Sequence, residues 1–212
     1  MEYHAPKSTC RLCRSEFARR GMTRHIKACL TRHFRPDPNT KRLDLMHLHV
    51  QGAYNPDYFL HLLMNANDPL YHLDAFLRQT WLECCGHLSA FSAGRYGEEI
   101  DMQARSGDVF RPGLKITYQY DFGSTTELVV QMVGQHRGVI KDSIQIIARN
   151  TPPIIPCDEC RAQPAVQICT ECQWEDAGWL CADCAQNHAC GEDSFLPVVN
   201  SPRTGVCGYT GE

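Results

Sequence analysis

Cys10, Cys13, His25 and Cys29 follow one another at the spacing C-x2-C-x11-H-x3-C. Two cysteines on a tight turn, with a His/Cys pair one helical turn apart, can converge tetrahedrally on one zinc ion. A second group lies near the other end of the chain. Three C-x-x-C pairs, Cys157/Cys160, Cys169/Cys172 and Cys181/Cys184, are separated by eight residues each time and followed by His188 and Cys190. Those eight donors make two more four-ligand sites, so the expected cofactor is Zn2+, three per chain. Sites closed by four protein ligands keep no open position for substrate, which makes them structural rather than catalytic. The chain has thirteen cysteines, an odd number mostly in C-x-x-C pairs, which argues for metal rather than a disulfide framework.

The C-terminal ligands can be wired in two ways. Sequential wiring puts one zinc on the first two pairs and the other wholly within the ten residues Cys181 to Cys190. That leaves the chain almost no length to double back. Cross-brace wiring joins Cys157/Cys160 with Cys181/Cys184, and Cys169/Cys172 with His188/Cys190, so that each ion closes a long loop. Spacing favours the cross-brace. Cys190 is the least secure ligand, with Asp193 or Cys207 as substitutes.

Both groups resemble known zinc modules. The first is similar to a C2H2-type finger with Cys in the last position, and Phe17 and Met22 fall where such fingers keep an aromatic residue and a leucine. That resemblance implies base-reading positions at Ala18, Gly21 and Arg24, of which only Arg24 suits a bidentate base contact. Phosphate contact is the broader expectation. Arg14, Arg19, Arg20, Arg24 and Lys27, followed by Arg32 and Arg35, surround the ligands and can bind DNA or RNA without reading sequence. The three pairs followed by Cys-x3-His resemble the cross-brace fingers of the B-box and ZZ type, whose relatives make protein contacts.

Charge divides the same way. Residues 1–42 carry a formal +8, residues 43–150 carry −4 and residues 151–212 carry −7. The basic end is the one that attracts phosphate, whereas the acidic end suits a protein partner, with Trp174, Trp179 and Phe195 as candidate anchors. No apolar run approaches the roughly 20 residues that cross a bilayer, and the first residues lack the apolar core of a signal peptide. No membrane association and a cytoplasmic location are therefore expected.

The elements that must position these donors fall into three segments: a basic finger and linker over 1–42, a central domain over 43–152, and a cysteine-rich two-zinc module with its tail over 153–212. The string "RPDPNTK" reads as the linker. In the central segment "LDLMHLHVQ" reads as a strand, and "NPDYFLHLLMNA" and "PLYHLDAFLRQTWLECC" read as helices. The second helix has Asn67 or Asp68 as N-cap, Leu73, Phe76, Leu77, Trp81 and Leu82 on its apolar face, and Gly86 closing it. Strands follow at "HLSAFS", "LKITYQYDF", "TELVVQMV" and "SIQIIAR", with "DFGST" as a hairpin turn. The expected fold is α+β, with helices packed on a mainly antiparallel sheet, flanked by two small zinc-binding modules.

The strings "LDAFLRQTWLECCGHLSAF", "YQYDFGSTTEL", "IIARNTPP" and "NSPRTGVCGYTG" resemble the pRiA-type ORF-three-like family of plasmid and transposon passenger proteins, over roughly residues 43–211. The resemblance implies a compact α+β domain and association with mobile elements, but no established reaction. Many members have Asp-x-Trp-x-His after the Tyr-Asp-Phe-Gly string, and this chain has Ser124 to Leu128 there instead.

Catalysis finds no recognisable constellation. Cys84 and Cys85 read as a helix end packed in the core, His87 as a structural histidine and Asp121 as a turn-former. The reading is a zinc-binding, non-enzymatic interaction or adaptor protein, with non-specific nucleic-acid contact through its finger. The alternative is an enzyme or nucleic-acid-processing factor with an unrecognised active site in the central domain.

Overall fold

The computed structural model describes residues 5–34, 42–175 and 177–211. The expected linker at 35–41, with Arg35, lies outside them. A hairpin of β1 (Lys7–Thr9) and β2 (Glu16–Ala18) leads into helix α1 (Arg19–His33). The central domain follows as β3 (Leu43–Gly52), β4 (Phe59–Asn65), α2 (Leu70–Leu77), β5 (Ser89–Ser92), β6 (Glu99–Ile100), the short α3 (Ser106–Val109), β7 (Lys115–Tyr120), β8 (Thr126–Gly138) and β9 (Ile144–Arg149). The cysteine-rich segment adds β10 (Gln167–Cys169), β11 (Trp179–Leu180), α4 (Ala182–Asn187) and β12 (Phe195–Pro197).

Seven strands form one sheet in the order β6-β5-β7-β8-β3-β4-β9, and every neighbouring pair is antiparallel. The fold is thus α+β around a large antiparallel sheet. Strand β4 corrects the expected first helix. Residues Phe59 to Met64 are all buried, because β4 lies between β3 and β9 with both of its faces covered. A short run that is buried throughout and apolar but for His61 has no period that separates a buried helix from a buried strand. Its seven residues suit a central strand, and the Asn150 side-chain oxygen accepts the Phe59 N–H at 2.9 Å.

Alternation along β3 sorts its side chains onto two faces. Met46, Leu48 and Val50 join Leu60, Leu62, Tyr118 and Val130 in the main core, against Leu70, Leu73 and Leu77 of α2. The helix continues past Leu77 as a single π-turn over Arg78–Leu82, which seats Trp81 and Leu82 in that core. Pro69, not Asn67 or Asp68, occupies the N-cap, and Gly86 lies beyond the helix in a turn at φ +74°.

The opposite face is covered by the finger. Met22, Ile26, Cys29 and Leu30 of α1 pack on Leu45, Leu63, Ile147 and Ala148. The hairpin is fastened to the sheet edge as well: the Thr151 N–H donates to the Lys7 carbonyl at 2.7 Å, and Arg11 N–H to that of Ile147 at 2.8 Å. At Gly138 a Cβ would fall 2.5 Å from the Phe34 ring, so glycine there lets the end of the finger approach β8.

Among the described residues, no helix is long and apolar enough to cross a membrane.

Candidate metal centres

In the finger, the β1–β2 hairpin carries Cys10 and Cys13 at its turn, and α1 presents His25 and Cys29 one helical turn apart. Cys10 Sγ lies 3.9 Å from Cys29 Sγ, and Cys13 Sγ 3.2 Å from His25 Nε2. The Phe17 ring stacks on His25 with centroids 4.4 Å apart, which fixes the imidazole. Cys13 is brought down to about 6 by the hydroxyl and backbone N–H of Ser15. Burial, with the neighbouring Cys10 adding to it, pushes Cys29 of the same group the other way, up to about 12, so Cys13 is the thiol that ionises first.

The C-terminal donors gather as two groups, Cys157/Cys160/Cys181/Cys184 and Cys169/Cys172/His188/Cys190, with the donor atoms of each group all within 4.8 Å of one another. This pairing crosses over: the first and third C-x-x-C pairs meet, and the second meets His188 and Cys190. Strand β10, central in a three-stranded sheet with β11 and β12, ends on Cys169. Helix α4 starts just after Cys181 and ends just before His188, so it spans the two groups. Burial opposes ionisation of Cys157. The backbone N–H groups of Cys160, Cys181 and Glu159 outweigh it and bring the thiol to about 6.

Sulfur separations exclude a formed disulfide and fit a metal site. Cys160 to Cys181 is 3.8 Å and Cys172 to Cys190 is 3.7 Å. With Zn–S bonds of about 2.3 Å, the edge of a tetrahedron is about 3.8 Å, whereas a disulfide holds its sulfurs at about 2.05 Å. His188 adds a second sign. Its Nδ1 lies 2.9 Å from the Glu159 carboxylate, while its buried Nε2 has no hydrogen-bond partner. A carboxylate on one ring nitrogen and a vacant lone pair on the other is the arrangement of a metal-bound histidine. Because Glu159 sits in the loop of one group and His188 in the other, the two groups are also coupled through this contact.

A fourth group was not expected. Cys84, Cys85, His87 and Cys207 bring their donor atoms within 4.8 Å of one another. Cys84 is half-buried and packs against the main core as expected, whereas Cys85 is exposed and does not. The final segment makes this contact by folding back over the central domain. Ser201 Oγ donates to the Trp81 carbonyl at 2.6 Å. Arg203 has no solvent exposure and donates to Asp121 at 2.7 Å, Thr126 Oγ1 at 3.0 Å and Cys84 Sγ at 3.4 Å. Its guanidinium holds the Asp121 carboxyl down at about 2. Asp121, at φ +65°, also accepts the N–H groups of Gly123 and Ser124 and so shapes the hairpin turn. Nothing in the sequence flags this group, since adjacent cysteines and a lone cysteine some 120 residues on have no ligand spacing.

The basic residues are placed on α1 and its approach. Arg14, Arg20, Arg24 and Lys27 are exposed, whereas half-buried Arg19 donates to Gln51 Oε1 at 3.1 Å. Tyr118 is buried and donates to Asp74 at 2.7 Å, whereas Tyr120 donates to Glu83 at 2.9 Å and packs its ring edge-on against His87, with centroids 5.8 Å apart.

Comparison with known protein families gives no match, and no curated protein matches. Among solved structures, a protein of unknown function from Methanosarcina mazei Go1 is similar over 51% of this chain and 68% of its own, at 16% identity and a TM-score of 0.42.

Proposed function

We propose that this chain is a non-enzymatic interaction protein whose finger and cross-braced tail are each built on structural zinc, with three ions in the sites read from the sequence. The observation that carries the reading is the convergence of three sets of four Cys/His donors, each within 4.8 Å. All four positions are filled by protein, which leaves no place for an activated water.

The finger contributes non-specific contact with DNA or RNA. Its helix turns its apolar side to the sheet and its basic side outward, so that Arg20, Arg24 and Lys27 recur along one exposed stripe. Beside this stripe, a cleft of about 240 Å³ between α1 and the sheet is lined by Arg19, Arg20, His49, Gln51, Lys115 and Gln131 and has no acidic side chain in its lining. Cations without carboxylate neighbours favour phosphate. The acidic C-terminal module is the side for a protein partner, and Trp174, 80% exposed, is the anchor. The likeness of the central strings to the pRiA-type ORF-three-like family supports a place among proteins carried by mobile elements.

Substitution is the right test, because deleting residues 1–42 would uncover the sheet face on which α1 packs. Titration of the full chain with labelled DNA and RNA duplexes at rising salt is expected to show weak binding that falls steeply with salt. An Arg20→Ala, Arg24→Ala, Lys27→Ala triple variant should lose affinity and reduce the salt slope by about three counterions. Equal binding by wild type and variant would remove the nucleic-acid part of the proposal.

A further inference from the structure

We infer that Cys84, Cys85, His87 and Cys207 form a fourth metal site, for a thiophilic divalent cation of tetrahedral preference, and that this ion clips the C-terminal tail to the central domain.

Geometry supports a metal over the other chemistries open to three cysteines and a histidine. Cys85 Sγ and Cys207 Sγ stand 3.7 Å apart, the separation seen in the other three groups and far beyond a disulfide. A nucleophilic dyad is disfavoured by the imidazole. His87 Nε2 faces Cys207 Sγ at 3.2 Å and Asp121 Oδ2 at 3.6 Å, so one nitrogen meets both partners. A Cys-His-Asp relay needs the thiol and the carboxylate on opposite ring nitrogens.

The backbone and the surroundings point the same way. Cys207 adopts φ +52°, a left-handed conformation unusual outside glycine, and strain of this kind persists where the surrounding structure demands it. Arg203 donates to Cys84 Sγ, an outer N–H···S contact of the type that orients metal thiolates. The four groups together take in all thirteen cysteines of the chain, leaving none for another role. Zinc is the expected ion for three thiolates and an imidazole, and its binding releases the thiol protons to solvent. The clip joins positions 122 residues apart, Cys85 and Cys207. It therefore fixes the tail that places Arg203 under the hairpin turn.

The test is the metal content of the full chain, purified without chelator under reducing conditions, by elemental analysis and native mass spectrometry. Wild type should hold four zinc ions, and Cys207→Ser and Cys85→Ser should each hold three; both side chains are exposed, so neither change disturbs a core. Hydrogen exchange over residues 199–211 should quicken in both variants. Wild type with three ions, variants that keep the wild-type count, or a Cys85–Cys207 disulfide in the mass spectrum would each overturn the site. Cys13→Ser and Cys172→Ser separate this from the three-zinc reading. If they lose an ion while Cys207→Ser does not, only the fourth site fails.

Discussion

At the scale of single residues, the most consequential charge is the guanidinium of Arg203, which has no solvent exposure. Its two terminal nitrogens donate to Asp121, Thr126, Cys84 and the Ser124 carbonyl, its Nε has no partner among the described residues, and it lies over the Tyr120 ring at 4.8 Å. Breaking a buried pair leaves its partner charged and unmatched, so Arg203→Met should cost about 3–5 kcal/mol, read as a lower urea midpoint. Adding Asp121→Asn should recover part of that loss. A second residue-scale feature is the histidine layer beneath α1. His47 Nε2 and His61 Nδ1 are 2.9 Å apart, and the His49 ring stacks on His61 at 4.7 Å. Burial pushes His47 down to about 3, with His136, His49 and Lys27 adding to it, and pushes His49 down to about 4, with Arg19 adding to it. Burial also holds His61 well below its ordinary value. Above pH about 6.5 these groups are neutral folded or unfolded, and their contribution is complete. As the pH falls the unfolded chain takes up protons first, so stability is lost from about 6.5 down to the folded values. Each such histidine contributes about 1.4 kcal/mol per pH unit in that window. Urea midpoints at pH 7, 6 and 5 should therefore fall, and His49→Leu should flatten the slope by about one proton.

At the scale of elements, α1 has two partners: its own metal donors and the sheet. Ile26, fully buried in the cluster with Leu45, Leu63 and Ile147, ties the two together. Ile26→Ala should cost about 2–4 kcal/mol, and thermal unfolding should stay a single transition that moves down as a whole. A separate low-temperature transition for the finger would show that the contact carries no stability. Most elements were legible in the sequence, and the exceptions have physical causes. The strands β3, β7, β8 and β9 announce themselves by alternation, and α2 by Leu73 and Leu77 at helical spacing. Strand β4 does not, because Phe59 to Met64 are apolar but for His61 and show no period. The docking of α1 was also hidden. Met22 and Ile26 serve equally as the small core of a free finger or as contacts with a sheet, and sequence spacing carries no information about which.

At the scale of the whole molecule, clusters of candidate metal donors bring together segments that the chain keeps far apart. The cross-brace was readable because C-x-x-C pairs have a fixed reach, and ten residues are too few to close a site of their own. The Cys84/Cys85/His87/Cys207 group was not, because its spacing is set by how the tail packs, through Ser201 and Arg203, and not by local geometry. The core of the cross-braced module is small: its buried members are Cys157, Cys169, Leu180, Cys181 and Ala185, three of them candidate metal donors. With the proposed ions bound, so small a unit would draw much of its folding energy from them. A strong chelator should therefore melt residues 153–198 while leaving the slowest-exchanging amides of the seven-stranded sheet protected. Cys181→Ser should loosen Cys157/Cys160 and leave His188 and Cys190 with Cys169/Cys172, which nuclear magnetic resonance of the metal-bound histidine would report. The most direct test of the account is anomalous diffraction at the zinc edge from crystals of the full chain. The account predicts a peak at the centre of the finger group and one in each cross-braced group, every ion held by four protein donors. An ion with a water in its fourth position, a group closed by disulfides, or a site formed wholly within Cys181 to Cys190 would contradict it.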